Sequence, residues 1–583
     1  MESLTATEVF MAFLMLLMQN SNDGFKDSIE TISVTGILEE YDFVIVGGGS
    51  AGSTLANRLS EIADWKILLL EAGGQENDYT KTPAVHPTLI KSEYDWNYTT
   101  TKQQKSCQAT SGKCQYPRGR VLGGSSSTNG MIYARGYRWD YDRWGKENRG
   151  WSFCDVEPYF LRSEGNRIPG LKGRGRDGPL TVDYPPYMTE LRDQLIKAGQ
   201  AKGLKNADCA DYEYDCIFRT QTTIRDGRRC SASTAYLEPV SASRENLHIL
   251  TGALVSRVII ENKVAKGVEF LHDDKVHSVK ATKEVILSAG SINSPKILML
   301  SGIGLKSHLE SFNIPVVADL PVGDNLQDHN RVVLYYNVRN GSVANIDDLA
   351  DKDSMEQYIA NQTGPYSYSG LEVLAFVKRG SGRKLRKEPP NIQYHITTLL
   401  PQEEYLASIS TTVLRPFSRG TIRLSGADPK ADPLIDVNYY GDERDWQLTV
   451  EGLKFSNELF ETKPLTSYGA SLNKMMTPEC AGEEGFLEYL NCTIKYYTVT
   501  IYHPVGTVKM ASRLRGGVVN SNLQVYGVRN LRVVDASIVP TIISMNTNAM
   551  AIMIGEKGSD IIKMEYEKSE KTKRRFCKKL YGL

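Results

Sequence analysis

The stretch "YDFVIVGGGSAGSTLANRLS", Tyr41 to Ser60, decides the fold. Apolar residues Phe43 to Val46 run straight into Gly47-x-Gly49-x-x-Gly52, and Leu55 and Leu59 then recur at helical spacing. A strand that turns through glycines into a helix lets the backbone come close to a pyrophosphate, which rests on the amides of the helix N-terminus. Downstream, "WKILLLEAGG" (Trp65 to Gly74) reads as a second buried strand ending on Glu71. That acid lies about twenty residues beyond the turn, where a carboxylate accepts hydrogen bonds from ribose hydroxyls. Glycines alone are a weak signal; strand, turn, helix, strand and acid in this order predict a βαβ unit that holds an adenine dinucleotide. NAD and FAD share the ADP half, so this motif leaves the choice between them open.

The chain has 583 residues, enough for two domains or for one large domain with an insertion. Its 41% hydrophobic and 24% charged residues are those of an ordinary globular protein. Lys plus Arg equals Asp plus Glu at 69 each, so no net field draws it to nucleic acid or to an anionic membrane. The expected partner is a small molecule. The run "VFMAFLMLLM", Val9 to Met18, is too short to span a bilayer and suits the apolar region of a secretory signal. Against that, Glu2 and Glu8 precede or enter it and the first basic residue is Lys26. The expectation is a secreted, extracellular chain with a leader within residues 1–40, a buried helix or a peripheral anchor being the alternative. Sequons at Asn97, Asn340, Asn361 and Asn491 agree with secretion. Nine cysteines leave at least one unpaired in the monomer, no C-x-x-C is present, and no metal site is expected. Cys107 with Cys114, Cys209 with Cys216 and Cys480 with Cys492 close short loops in an oxidising compartment and are buried thiols in a reducing one.

Strand patterns recur at "LHILTGALVSRVII" and "KEVILSAG", followed by a helix at "SPKILML". From Arg331 alternating segments dominate: "RVVLYYNV", "PNIQYHIT" and "TTVLRPFSRGTIRLSG". Buried strand and helix return near Thr498, closing with "NLRVVDASIVP" and "NAMAIMIGEKGSDII"; a basic tail follows from Lys571. Between these lies "PRGRVLGGSSSTNGMIYARG", a glycine and hydroxyl segment where an NAD domain would continue its regular alternation. Here the sequence resembles the glucose-methanol-choline oxidoreductase family, from about Tyr41 to Ile562. One family signature is matched by Gly119, Arg120, Leu122, Gly123, Gly124, Ser125, Ser126 and Asn129, a second by "GSINSPKILMLSGIG", Gly290 to Gly304. "VGDNLQDH", Val322 to His329, and "SRGTIRLSG" are similar to segments of insect members.

The resemblance implies an α/β fold: a Rossmann-like FAD-binding domain, residues 41–330 and 498–565, and a substrate domain of α+β type with an antiparallel sheet, residues 331–497. It implies FAD with its adenine end near Gly47, Gly49, Ser50, Ala51, Gly52, Glu71 and Val255. The flavin end would meet Gly124, Ser125, Asn129, Gly130 and Met131, with Asp535, Ala536, Thr547 and Asn548 closing over it. It also implies two catalytic residues, His503 in "TIYHPVGT" and Asn546 in "PTIISMNTN". Their types suit alcohol oxidation, in which the hydroxyl proton leaves as a hydride departs from the same carbon: an imidazole takes the proton, and an amide donates to the developing alkoxide. His329 is expected to be structural, and His86, His248, His272, His277, His308 and His395 have no motif around them. Ala511, Asn520 and Met550 depart from the family's usual residues. The expected activity is oxidation of a sugar, ecdysteroid or small alcohol, with oxygen or a quinone as acceptor. A flavin-binding protein without turnover and a nicotinamide dehydrogenase are the alternatives.

Overall fold

The computed structural model describes residues 5–19, 29–208, 214–380, 388–400 and 402–566. Glu2, Lys26, Cys209 and the basic tail from Lys571 lie outside these residues. Two sheets carry the architecture. The first is built on β1 (Glu40–Val46), which runs parallel to β2 (Ile67–Leu70) on one side and to the second half of the long strand Lys275–Leu287 on the other. All four residues of β2 are buried, as a strand covered on both faces requires. Leu247–Leu250 adds to β2 in parallel, and Leu531–Val533 pairs in parallel with Val285–Leu287. The register aligns Val46 with Leu70 and Leu287, and Leu287 with Val533. The segments after these strands, carrying Gly47, Glu71, Ser288 and Asp535, therefore leave the sheet at one edge, the carboxyl edge where open α/β sheets bind ligands.

Helices α2 (Ser50–Leu59) and Gly290–Leu300 pack on this sheet, and the C-terminal helix Asn548–Tyr566 packs on α2; a further helix, α1 (Ala6–Gln19), precedes them in the chain. Gly555 allows the contact between α2 and the C-terminal helix, since a Cβ there would lie 2.6 Å from the Ala51 carbonyl oxygen. Beside it the buried Glu556 accepts hydrogen bonds from Arg58 Nε and Nη2, both at 2.9 Å, and from the Tyr236 hydroxyl at 2.8 Å. A buried carboxylate needs such partners, and they pin the last helix to the first βαβ unit.

The second sheet has eight strands, antiparallel except at one edge. Asn330–Asn337, Leu406–Val413, Ile392–Thr397 and Leu371–Val377 form its centre, and helix Glu443–Phe460 covers one face. Gly452 of that helix lies over Thr411, and Ser456 hydrogen-bonds Thr411 at 2.8 Å. The sheet also takes Cys216–Arg219 and Lys205–Asn206 from upstream of Arg331. Period-two patterning marks the strands after Arg331 but not these short segments.

The apolar run of the leader is helical in α1, which buries Phe10, Phe13, Leu14 and Leu17 in a cluster with Val85, Leu349 and Tyr366, while Met11, Met15 and Leu16 stay exposed. Disulfides join Cys107 to Cys114 and Cys480 to Cys492. Cys154 and Cys216 are also disulfide-bonded, and Cys230 is a buried free thiol. Among the described residues no helix is long and apolar enough to cross a membrane.

Candidate active site

One cavity of ≈ 480 Å³ lies between the two sheets. Of the residues proposed from sequence to bind the cofactor or to catalyse, all but Gly52 line it. Gly47 has φ +99°, and a Cβ there would meet the Ser288 carbonyl at 2.7 Å, so only glycine fits this turn. Gly52 works from behind: its Cβ would sit 1.9 Å from the Gly47 oxygen, so its role is to let α2 pack on the turn. The N-cap of α2 is Gly49, with no side chain bound to the first-turn amides, which stay available to an anion. The two glycine segments lie backbone against backbone, Gly123 N–H donating to the Gly48 carbonyl at 2.7 Å. A Cβ on Gly124 would reach Gly49 Cα at 2.7 Å.

Glu71 is fully buried at the end of β2 and accepts from the Gly48 and Gly73 amides, both at 2.8 Å. Burial raises its carboxyl above the usual range, against the pull of those two bonds. Val255 lines the cavity from the strand Leu254–Glu261. Asp535 accepts from Gly290 N–H at 2.9 Å and from the Ser294 and Ser537 hydroxyls at 2.5 Å, joining the last strand to the helix Gly290–Leu300. Ser50 donates to Asn548 at 2.7 Å across the start of the C-terminal helix.

His503 and Asn546 face each other, His503 Nε2 lying 3.3 Å from Asn546 Nδ2. Their hydrogen-bond partners fix the protons. The Leu414 carbonyl can only accept, so His329 Nε2, 2.8 Å away, carries a hydrogen. His329 Nδ1 is then the acceptor toward His503 Nδ1 at 3.0 Å, which leaves His503 Nε2 as a bare lone pair in the cavity. Gln393 Nε2 donates to Asn546 Oδ1 at 2.9 Å and so turns the Asn546 NH₂ toward His503 Nε2 and His395 Nε2, the latter at 3.4 Å. The His503 backbone is held by Asp328, whose Oδ1 accepts from His503 N–H at 2.8 Å and whose Oδ2 accepts from Tyr439 at 2.5 Å, Thr500 at 2.6 Å and Tyr116 at 2.9 Å.

Burial, then the neighbouring His329, His395 and Arg118, hold His503 well below the ordinary imidazole value of 6.5. It is therefore a neutral base at neutral pH. Protonation removes the lone pair, so kcat/KM should fall only as pH drops through this depressed pKa, well below 6.5; a pH profile on the acid side checks this, and a limb centred at 6.5 would remove His503 as the titrating group. Burial likewise takes His329 to about 4 and His395 to about 3. These imidazoles bind protons on unfolding, so acid also weakens the fold below pH 6.5, and unfolding must be followed in parallel.

The structure adds residues to which the sequence reading assigned no part in the chemistry. His329, expected to be structural, sets the tautomer of His503. His395 lines the cavity from the strand Ile392–Thr397, Gln393 of the same strand stands behind Asn546, and His86 and Arg331 also line the cavity. Arg229 is buried beneath the glycine and hydroxyl loop, its Nη1 donating to the Asn129 carbonyl at 2.7 Å and to Ser126 O at 3.1 Å. The available signal was polar residues at alternate positions of otherwise apolar strands, Gln393 and His395 within "IQYHIT" and Arg331 within "RVVLYYNV".

A glycine turn on a helix N-terminus, a buried acid, and a neutral imidazole facing the same cavity from the loop after Val499–Thr500 define a dinucleotide-dependent oxidoreductase. The GMC oxidoreductase family models match residues 41–331 and 416–555. Glucose dehydrogenase [FAD, quinone] of Drosophila melanogaster is 37% identical over 553 residues, 90% of this chain and 87% of that protein. Ecdysone oxidase of Bombyx mori is 35% identical over 571 residues, 91% and 82% of the two chains. Among solved structures, formate oxidase of Aspergillus oryzae superposes with a TM-score of 0.83 at 27% identity, covering 91% of this chain and 99% of that one. The chain belongs to the GMC oxidoreductase family. Its cofactor is FAD, and it is an oxidoreductase that acts on alcohols. The free amides of α2, the buried Glu71 and the glycines of both loops, which leave no side chain in the way, fit that cofactor.

Proposed function

We propose that His503 is the general base of this alcohol oxidation and that Asn546 stabilises the oxygen it deprotonates. Bound FAD supplies the acceptor for the hydride. The lone pair on His503 Nε2, opposite Asn546 Nδ2, carries the reading. An alcohol whose oxygen approaches both atoms from the cavity gives its proton to Nε2 while that oxygen accepts from the Asn546 amide, so charge developing on oxygen meets a donor already in place. Gln393 holds that amide, His329 the tautomer and Asp328 the backbone, so the pair needs little rearrangement. Gly47, Gly49, Ser50 and Ala51 would receive the pyrophosphate, Glu71 and Val255 the adenosine. Gly124, Ser125, the Asn129 to Met131 backbone, Asp535, Ala536 and Asn546 to Asn548 would hold the flavin.

The relatives support a sugar or ecdysteroid as substrate and oxygen or a quinone as acceptor. Secretion is supported by the two local disulfides. Asn97, Asn340 and Asn361 are exposed for glycan attachment, whereas Asn491 is half-buried and accepts from Trp446 Nε1 at 2.9 Å. The testing experiment is the visible spectrum of the purified protein, followed without oxygen as sugars, ecdysteroids and simple alcohols are added. A flavin band that bleaches with one class names the substrate, and readmitted oxygen sorts oxidase from dehydrogenase. A protein that binds flavin but is bleached by none of them would favour the reading without turnover.

A further inference from the structure

Arg331 stands on the wall of the cavity that belongs to the second sheet. Arg331, Val333 and Tyr335 occupy alternate positions of the strand Asn330–Asn337 and face inward together. Val333 pairs with Ser410, and Ser410 with His395, so the guanidinium shares one sheet face with the imidazole that flanks Asn546. Its Cζ also lies 5.9 Å from the ring of Tyr502, the residue before His503.

Among the described residues this cation has no counter-ion. Arg331 Nε is buried without a hydrogen-bond partner, and among the described residues no carboxylate forms an ion pair with the side chain. The acids that line the cavity are engaged elsewhere: Glu71 with the Gly48 and Gly73 amides, Asp95 with the Lys91 and Arg118 amides, Asp535 with Ser294 and Ser537. Its influence reaches both neighbouring imidazoles, adding to the burial that holds His86 and His395 at about 3. The pyrophosphate site belongs to α2 on the other sheet, so the cofactor's phosphates do not account for a guanidinium here. A half-buried guanidinium that faces the cavity with an unpartnered, buried Nε–H calls for an oxyanion, which it binds through two parallel N–H donors. His395 Nδ1, Gln393 Oε1 and Ser369 Oγ are further buried polar atoms without partners around the same site.

We propose that Arg331 selects alcohols that carry an oxyanion, a carboxylate or a phosphate or sulfate ester, and docks that group so that the hydroxyl reaches His503. The proposal rests on the cavity being the site of alcohol oxidation and narrows its substrates to acidic members of the sugar, steroid or small-alcohol classes. Cationic alcohols such as choline are disfavoured by the same charge.

The test uses the holoenzyme and matched probes: benzyl alcohol, 4-(hydroxymethyl)benzoate and its trimethylammonium counterpart, together with 1,2-ethanediol, glycolate and choline. Binding is measured by calorimetry and by perturbation of the oxidised flavin spectrum, and flavin reduction separately under anaerobic conditions. The anionic probes should bind roughly 10- to 100-fold more tightly than the neutral ones, as bonds to a charged group allow. Arg331→Gln should abolish that preference with flavin content unchanged, Arg331→Lys should keep part of it, and Arg331→Glu should favour the cations. Equal binding of neutral and anionic probes, no binding of any anion, or a preference that survives in Arg331→Gln overturns the proposal. So does a flavin midpoint potential that shifts in Arg331→Gln while anion affinity stays the same, which would assign the charge to the cofactor. Charge-selective binding without flavin reduction would leave this proposal standing and defeat the catalytic one; reduction without charge selection would do the reverse.

Discussion

His503→Ala will purify with its flavin and lose roughly 10²- to 10⁴-fold in kcat, the usual contribution of a positioned general base. The backbone of His503 is held by Asp328 independently of the ring, so removing the ring leaves the segment in place. The loss should fall on kcat and kcat/KM alike, because the proton moves in the transition state and the ring contributes little to binding the ground state. The acid limb of the pH profile should vanish with the ring. Unchanged turnover in a flavin-loaded variant would exclude His503 as the base; lost flavin would instead make its role structural.

Gly52→Ala should give a protein that retains almost no flavin, although Gly52 lines no part of the cavity. The added methyl group would lie 1.9 Å from the Gly47 carbonyl oxygen, and neither a Cβ fixed to its Cα nor a backbone oxygen can rotate away. The turn must open or α2 must shift, and either change moves the amides of Ser50 and Ala51 from the pyrophosphate position. Gly74→Ala is the control, since nothing lies within 4 Å of a Cβ there. The flavin-to-protein ratio of the two variants decides the matter: equal ratios would show that the close approach at Gly52 is not needed for cofactor binding.

The parallel part of the first sheet was legible because its strands are buried on both faces and its turn demands glycine, so sequence and structure are constrained at the same positions. The second sheet was legible only where alternation is long: Asn330–Asn337 and Ile392–Thr397 carry it, whereas Lys205–Asn206 and Cys216–Arg219 are too short for any period to show. The site divides the same way. His503 and Asn546 sit in segments with a recognisable pattern. His395 and Arg331 reach the cavity, and Gln393 and Arg229 support its walls, from strands and loops whose local sequence says nothing of what lies opposite, because pairing partners far along the chain set their position. The proton on His503 depends on Leu414 through His329, a relation that exists only once three separate segments have met.

The register of Leu531–Val533 against Val285–Leu287 and the bond from Ser50 to Asn548 mean that the cofactor cavity is closed by the end of the chain. During synthesis the glycine turn leaves the ribosome early and has to wait for almost everything else. Such distant pairings make for slow folding, and the half-built sheet exposes the edge of Lys275–Leu287 meanwhile. A chain cut short before Leu531 would keep every glycine of the first motif and still have no complete pocket to offer a flavin, so premature termination late in translation is as disabling for this fold as a lesion at its start.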